Sequence, residues 1–307
     1  MIEPTLNYVS CPTPAATSPV NATGHRMAYW EWNDTGNPAH PHVLICVHGL
    51  SRQGRDFDVF ARRMSKYGRV ICPDVPGRGK SDWLANPAGY QIPTYVGDML
   101  TLIHQLHAQA PITQLDWVGT SMGGIIGLVI SGQKELPLPV PVHSLVLNDV
   151  GPAVEWDALQ RIGSYLGRPL RFESVQAAAD EMAKISAGFG RHTPEAWLEL
   201  SRPMVNRAAQ DRLRLHYDPG IASPLRKMTA EAAAGGERYL WKLYDQITAR
   251  VLLLRGADSD LLSRATAQRM AQTGPQAQLI EFENVGHAPT LVAQEQGDAV
   301  ERFLRSE

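Results

Sequence analysis

Apolar and polar positions change rhythm along the chain in a way that predicts its elements. Residues 43–47, 70–72, 115–118, 144–147, 251–254 and 279–282 are short, nearly uninterrupted apolar runs, as expected of strands buried on both faces. Residues 26–33 alternate instead, which predicts an outer strand with one solvated face. Between these runs, residues 57–64, 96–106, 122–130, 265–270 and 299–304 place apolar side chains three and four apart, so each predicts a helix that covers one face of a sheet. Strand and helix in alternation imply βαβ units, an α/β fold with a mostly parallel central sheet and helices on both faces.

The rhythm breaks twice. From 151 to about 245 the strand signals stop, and some 90 residues of helix-like sequence intervene, carrying Trp156, Tyr165, Phe172, Met182, Phe189, Trp197, Met204, Tyr239 and Trp241. This stretch is expected to be an inserted helical cap on a core made of 23–150 and 246–307. Residues 1–22, rich in Pro, Thr, Ala and Ser, show no periodic apolar face and are expected to form an extended N-terminal arm.

Composition narrows the class. Of 307 residues, 44% are apolar and 20% charged, which is average globular usage and excludes a disordered chain or a coiled coil. Lys and Arg number 29 against 31 Asp and Glu, and no block of like charge occurs, which argues against nucleic acid as a partner. The longest apolar runs, 43–47 and 125–130, fall well short of the roughly 18 to 20 residues of a membrane span. The acidic start lacks the apolar core of a secretory signal, and three cysteines, an odd number, fit reduced thiols. A cytoplasmic location is expected, where the Asn21-Ala22-Thr23 sequon carries no meaning.

The chemistry concentrates at Gly119-Thr120-Ser121-Met122-Gly123, a G-x-S-x-G turn between an apolar strand and an apolar helix. So tight a turn strains the central residue, and the flanking glycines remove the side chains that would clash. Ser121 is thereby the candidate nucleophile, at a helix N-terminus whose potential favours a developing oxyanion. A hydroxyl needs a base. His287, in a loop just beyond the last strand signal, is placed to supply it. Met122, the residue after the nucleophile, and Leu50, in the His48-Gly49-Leu50-Ser51 loop after the strand at 43–47, are the candidate oxyanion-hole donors. His48, a rival base, precedes the nucleophile strand and reads as a loop-organising residue.

Six segments now carry a resemblance: VHGL at 47–50, DVPGRGKSD at 74–82, GTSMGG at 119–124, NDVGP at 148–152, RGADSD at 255–260 and NVGHAP at 284–289. In that order they are similar to the α/β-hydrolase fold superfamily, of the kind with a helical cap, over about residues 25 to 305. The resemblance implies a Ser121–His287 hydrolase that forms an acyl-enzyme, and it fixes the substrate only weakly. The family's acid usually follows the glycine that ends the penultimate strand by a few residues. Here the third residue after Gly256 is Ser259, flanked by Asp258 and Asp260. Asp149, at the end of the strand around 144–147, is the other candidate, as in subfamilies with a DxxP-type turn there and a serine in the later loop. Asp149 is therefore preferred, with Asp260 the alternative and Asp258 third.

The expected activity is carboxylic ester hydrolysis of a small-molecule acyl substrate, without metal or cofactor, and the sequence assigns no oligomeric state. Alternatives within the fold are carbon–carbon hydrolysis of a diketone and perhydrolysis; the alternative of another class is a small-molecule receptor without turnover. Ser121 argues against the epoxide hydrolases and haloalkane dehalogenases of this fold, which use an aspartate nucleophile. Leu50, Met122 and Trp156 are candidate pocket walls, and Arg161, Arg168 and Arg171 are candidate anion contacts or solvated surface. Two further patterns fail as sites. Gly77-Arg78-Gly79-Lys80-Ser81 resembles the end of a P-loop, but Asp74 stands where its first glycine belongs. His104 and His107 lack further ligands at metal spacing.

Overall fold

The apolar runs become strands of one sheet in the computed structural model, which describes residues 2–12, 24–207 and 212–306. The first half contains β1 (Thr5–Cys11), β2 (His25–Trp32), β3 (His42–Val47), β4 (Arg69–Pro73), β5 (Gln114–Thr120) and β6 (Val142–Asn148), with α1 (Asp58–Met64), α2 (Ile92–Gln109) and α3 (Met122–Gly132) between them. An insertion follows: α4 (Trp156–Tyr165), β7 (Arg171–Phe172), α5 (Val175–Ile185), α6 (Pro194–Ser201), β8 (Val205–Arg207), β9 (Leu213–Leu215), α7 (Ala222–Lys227) and α8 (Ala230–Tyr244). The chain then closes with β10 (Arg250–Gly256), α9 (Arg264–Gln272), β11 (Gln278–Phe282) and α10 (Gln294–Arg305).

The eight-stranded sheet has the order β1-β2-β4-β3-β5-β6-β10-β11. Only the β1–β2 and β2–β4 pairs are antiparallel. The central strands are buried on both faces, and their side chains divide with period two, as a pleated strand requires. Val43, Ile45 and Val47 join one core cluster while Leu44 and Cys46 join the cluster on the opposite face. The first cluster draws on α2 and α3, the second on α1 and α10. This arrangement is the α/β fold that the alternating rhythm predicts.

Three expectations need correction. Within the expected arm of 1–22, residues 5–11 form β1, which runs antiparallel along β2 from Thr5 opposite Glu31 to Cys11 opposite His25. The physical cause is a weak alternation: Val9 and Cys11 are buried while Leu6 and Tyr8 face solvent. The outer position expected for 26–33 consequently belongs to β1. Residues 13–22 of the expected arm, and the Asn21-Ala22-Thr23 sequon, lie outside the described residues.

The insertion is also less uniformly helical than expected, since β7, β9 and β8 make a small antiparallel sheet. Three of its five described helices begin on side-chain caps: Ser174 accepts from the Ala177 N–H, Thr193 from Ala196 and Thr229 from Ala232. Its last helix, α8, buries Trp241, Leu243 and Tyr244. There α8 lies so close to α3 that a Cβ on Gly132 would meet the Leu243 carbonyl oxygen at 2.4 Å.

Candidate active site

The turn between β5 and α3 holds Ser121 at φ 52° and ψ −117°, a backbone conformation that L-residues adopt only under constraint. The constraint is visible in its neighbours. A Cβ at Gly123 would lie 2.0 Å from the Val47 oxygen, and one at Gly119 would lie 2.3 Å from the Gly123 oxygen. Both positions therefore need glycine if α3 is to begin directly against β3 and β5. The Ser121 N–H donates to the Asn148 carbonyl at 3.0 Å, and the Asn148 amide donates to Thr120 Oγ1 at 2.9 Å and to the Pro289 carbonyl at 2.7 Å. Asn148 thus ties the serine turn to the loop that carries His287.

That loop brings three of the expected residues into line. The Ser121 hydroxyl lies 3.0 Å from His287 Nε2, and His287 Nδ1 lies 2.7 Å from Asp149 Oδ2. A proton on Nδ1, donated to the carboxylate, leaves Nε2 as the acceptor facing the serine. Asp149 is completely buried and His287 is 17% exposed at its side chain. Two more donors hold the carboxylate: Ser259 Oγ at 2.6 Å on Oδ2 and the Gly256 N–H at 2.9 Å on Oδ1. Asp149 itself sits at φ 54°, with its N–H on the Leu254 carbonyl.

The alternative acids lie elsewhere. Asp260 is half exposed and pairs with Arg161 at 2.5 Å, and Asp258 is exposed, its backbone N–H bound to Val285. Arg168 donates to the Ser164 carbonyl and Arg171 is exposed. Trp156 lines a groove between α4 and α7 with Leu225 and Met228.

The loop after β3 runs beside the serine: a Cβ built on Gly49 would lie 3.7 Å from Ser121 Cβ. His48 is buried beneath this loop, donating from Nδ1 to the Gly49 carbonyl at 2.7 Å and accepting the Val75 N–H on Nε2 at 3.0 Å. Burial, reinforced by the Arg78 guanidinium, holds this imidazole well below its usual range, so it is a neutral brace, as the sequence order led us to expect. Behind Gly49 and Thr120 lies a cavity of about 40 Å³, bordered by Arg52, Asp56, Phe189, Leu200 and Thr290. It has room for a few waters at most. Arg52 meets Asp56 through two hydrogen bonds, of 2.5 and 2.9 Å.

The insertion contacts the loop that carries His287. The Gly286 N–H donates to the Gly188 carbonyl at 2.7 Å, and His192 Nε2 lies 2.8 Å from Thr290 Oγ1. Sequence reasoning missed Arg78, which donates from Nε to the Leu50 carbonyl at 2.9 Å and reaches Met122 Sδ with Nη2. Its only signal was membership of the GRGKS segment. Just before that segment, Asp74 accepts from the Gly54 and Lys80 N–H groups at 2.7 and 2.9 Å, which organises the turn around a carboxylate in place of a phosphate. Among the described residues, one trio has buried ligand atoms within 4.8 Å of one another: Cys11, His25 and Asp98. His25 and Asp98 are already hydrogen bonded at 3.1 Å. His104 binds the Leu100 carbonyl of its own helix.

A mostly parallel open sheet with a strained serine at a strand–helix turn defines the α/β-hydrolase class. The sequence profile described as the alpha/beta hydrolase family matches residues 44–303, and the chain belongs to this family. It is 48% identical over 292 residues to the 3-hydroxybutyrate-oligomer hydrolase of Cupriavidus necator, an alignment covering 94% of each chain. Among solved structures, an alpha/beta hydrolase from Novosphingobium aromaticivorans has a TM-score of 0.81 at 31% identity, and a protein of Rickettsia typhi has 0.85 at 28%; both alignments cover 99% of each chain. No helix among the described residues is long and apolar enough to cross a membrane.

Proposed function

We propose that the protein is a serine hydrolase of carboxylic esters, and that its substrates are short oligomers of 3-hydroxybutyrate or esters of similar size. One observation carries the reading: Ser121, His287 and Asp149 stand in hydrogen-bonded sequence at 3.0 and 2.7 Å. The chain's relation to the Cupriavidus necator oligomer hydrolase supports the choice of ester.

In the proposed reaction, Ser121 Oγ attacks the ester carbonyl as its proton passes to His287 Nε2. The N–H groups of Met122 and Leu50 receive the tetrahedral oxyanion. The adduct collapses, the C–O bond to the alcohol unit breaks, and His287 returns the proton to the departing alkoxide. Water, deprotonated by the same imidazole, then releases the acyl group from Ser121. Asp149 fixes the Nδ1–H tautomer and stabilises the imidazolium. Residues 151–245 act as the cap over this centre, their Gly188 and His192 contacts bracing the loop of His287. The three buried, unpaired cysteines, Cys11, Cys46 and Cys72, fit a cytoplasmic setting.

The test is hydrolysis of the 3-hydroxybutyrate dimer and trimer, followed by acid release, with wild type and Ser121→Ala. Turnover by wild type and its loss in Ser121→Ala supports the reading. Equal turnover by both proteins, or none by wild type on these oligomers and on p-nitrophenyl butyrate, refutes it.

A further inference from the structure

Arg78 is fully buried, and its environment differs from that of the other buried arginines. Arg52 lies on Asp56, Arg69 on Glu31 and Arg255 on Glu281. Among the described residues, no carboxylate stands within ion-pair distance of Arg78. A buried guanidinium without a counter-ion is costly, and an apolar side chain of similar length would fill the same space. Its hydrogen bonds show where the charge is directed. Nη1 donates to the Pro76 carbonyl at 2.7 Å and to the Tyr95 hydroxyl at 2.9 Å, Nε to the Leu50 carbonyl, and Nη2 faces Met122 Sδ at 3.7 Å. The ring faces of Tyr90 and Tyr95, 5.7 and 5.2 Å from its central carbon, supply the remaining compensation.

Leu50 and Met122 are the two residues whose N–H groups the proposed mechanism aims at the oxyanion. We propose that Arg78 is the positioning residue of that oxyanion hole, and that it places a net positive charge behind it. This inference rests on the serine-hydrolase reading above.

The geometry works peptide by peptide. The Gly49 carbonyl and the Leu50 N–H share one peptide plane and point in opposite directions. His48 Nδ1 and the Arg52 N–H hold that carbonyl at 2.7 and 3.1 Å. Arg78 holds the next carbonyl, that of Leu50, so both peptides flanking the Leu50 Cα are fixed before substrate arrives. Because Arg78 is not neutralised, its field reaches the oxyanion site that Leu50 and Met122 border. The negative charge there is larger in the tetrahedral adduct than in the bound ester, so the effect belongs to kcat more than to KM. The same field helps to depress His48 and His216, both buried nearby.

The experiment compares wild type with Arg78→Gln and Arg78→Lys on p-nitrophenyl butyrate. It also measures binding of a trifluoromethyl ketone, which forms the tetrahedral oxyanion on serine, against binding of the matching amide, which does not. For Arg78→Gln, kcat is expected to fall about 10- to 100-fold, somewhat less than on deleting a direct oxyanion donor. KM and amide affinity should stay within about twofold, and ketone affinity should fall in step with kcat/KM. Arg78→Lys, which keeps the charge but not the fork, should fall between and decides the matter if the glutamine variant does not fold. Unchanged kcat and ketone affinity in a folded variant overturn the inference, as does an equal loss of amide and ketone binding. Failure of the wild type to react with a fluorophosphonate at Ser121 would instead remove the serine reading itself.

Discussion

Replacing Asp149 by Asn changes one atom of the site and leaves its shape intact, which makes the effect calculable. The carboxylate is wholly buried and accepts from His287 Nδ1, Ser259 Oγ and the Gly256 N–H at 2.7, 2.6 and 2.9 Å. An asparagine oxygen can keep one side of this arrangement. Its amide nitrogen then takes a position that must donate, and donation to His287 Nδ1 drives the imidazole proton to Nε2. Nε2 is the atom that has to accept from Ser121 at 3.0 Å, so the base is blocked. The expected fall in kcat is about 10⁴-fold, or about 5 kcal/mol in activation free energy. KM should change by only about twofold. The assay is steady-state hydrolysis of p-nitrophenyl butyrate, with the melting temperature as a check on folding. Asp260→Asn is the control, because its partner Arg161 is as exposed as it is and a surface pair contributes little; its kcat should stay within about twofold. Folded Asp149→Asn with more than about a tenth of wild-type kcat, or a collapse at Asp260→Asn, refutes the reasoning.

Other expectations follow from the same contacts. Ser259→Ala removes one of three donors to Asp149, and kcat is expected to fall about tenfold, read by the same assay. Gly123→Ala sets a methyl 2.0 Å from the Val47 oxygen; chemical denaturation should show a loss of about 2 kcal/mol, and fluorophosphonate labelling of Ser121 should slow sharply. His216 is buried, and burial with the nearby Arg52 lowers its pKa to about 3. The unfolded chain takes up a proton near pH 6.5 and the folded chain does not, so stability present above pH 6.5 is lost as pH falls toward 3. Denaturation followed from pH 7 to pH 4 should show wild type losing stability faster than His216→Asn; parallel curves would contradict the assignment.

Much of the site was legible because its chemistry is local in sequence. The Ser121 turn is written in five consecutive residues, and His287 follows the last strand signal directly. Asp149 was harder, since three aspartates fitted the sequence. Register separates them: Thr120 pairs with Asn148 across β5 and β6, and Asn148 pairs with Leu254 across β6 and β10. Ser121 and Asp149 are each the next residue on adjacent strands, so they emerge side by side at one edge, a relation that exists only once the sheet is assembled. β1 was hidden by weak alternation, and β7 to β9 by their length, two or three residues each. The place of Arg78 beneath Leu50 and Met122 was invisible because burial and the lack of a counter-ion are properties of the folded chain, whereas a loop arginine ordinarily faces water.

In the proposed reaction, Ser121 carries the acyl group during turnover. The proposal is checked most directly by rapidly acid-quenching the wild-type reaction with excess 3-hydroxybutyrate trimer, within the first turnover, and mapping the peptides by mass spectrometry. An ester-linked hydroxybutyryl adduct is expected on the peptide containing Ser121 in the wild type, and none in Ser121→Ala. Acid release by the wild type with no adduct in the quenched first turnover, or an adduct on another residue, overturns it.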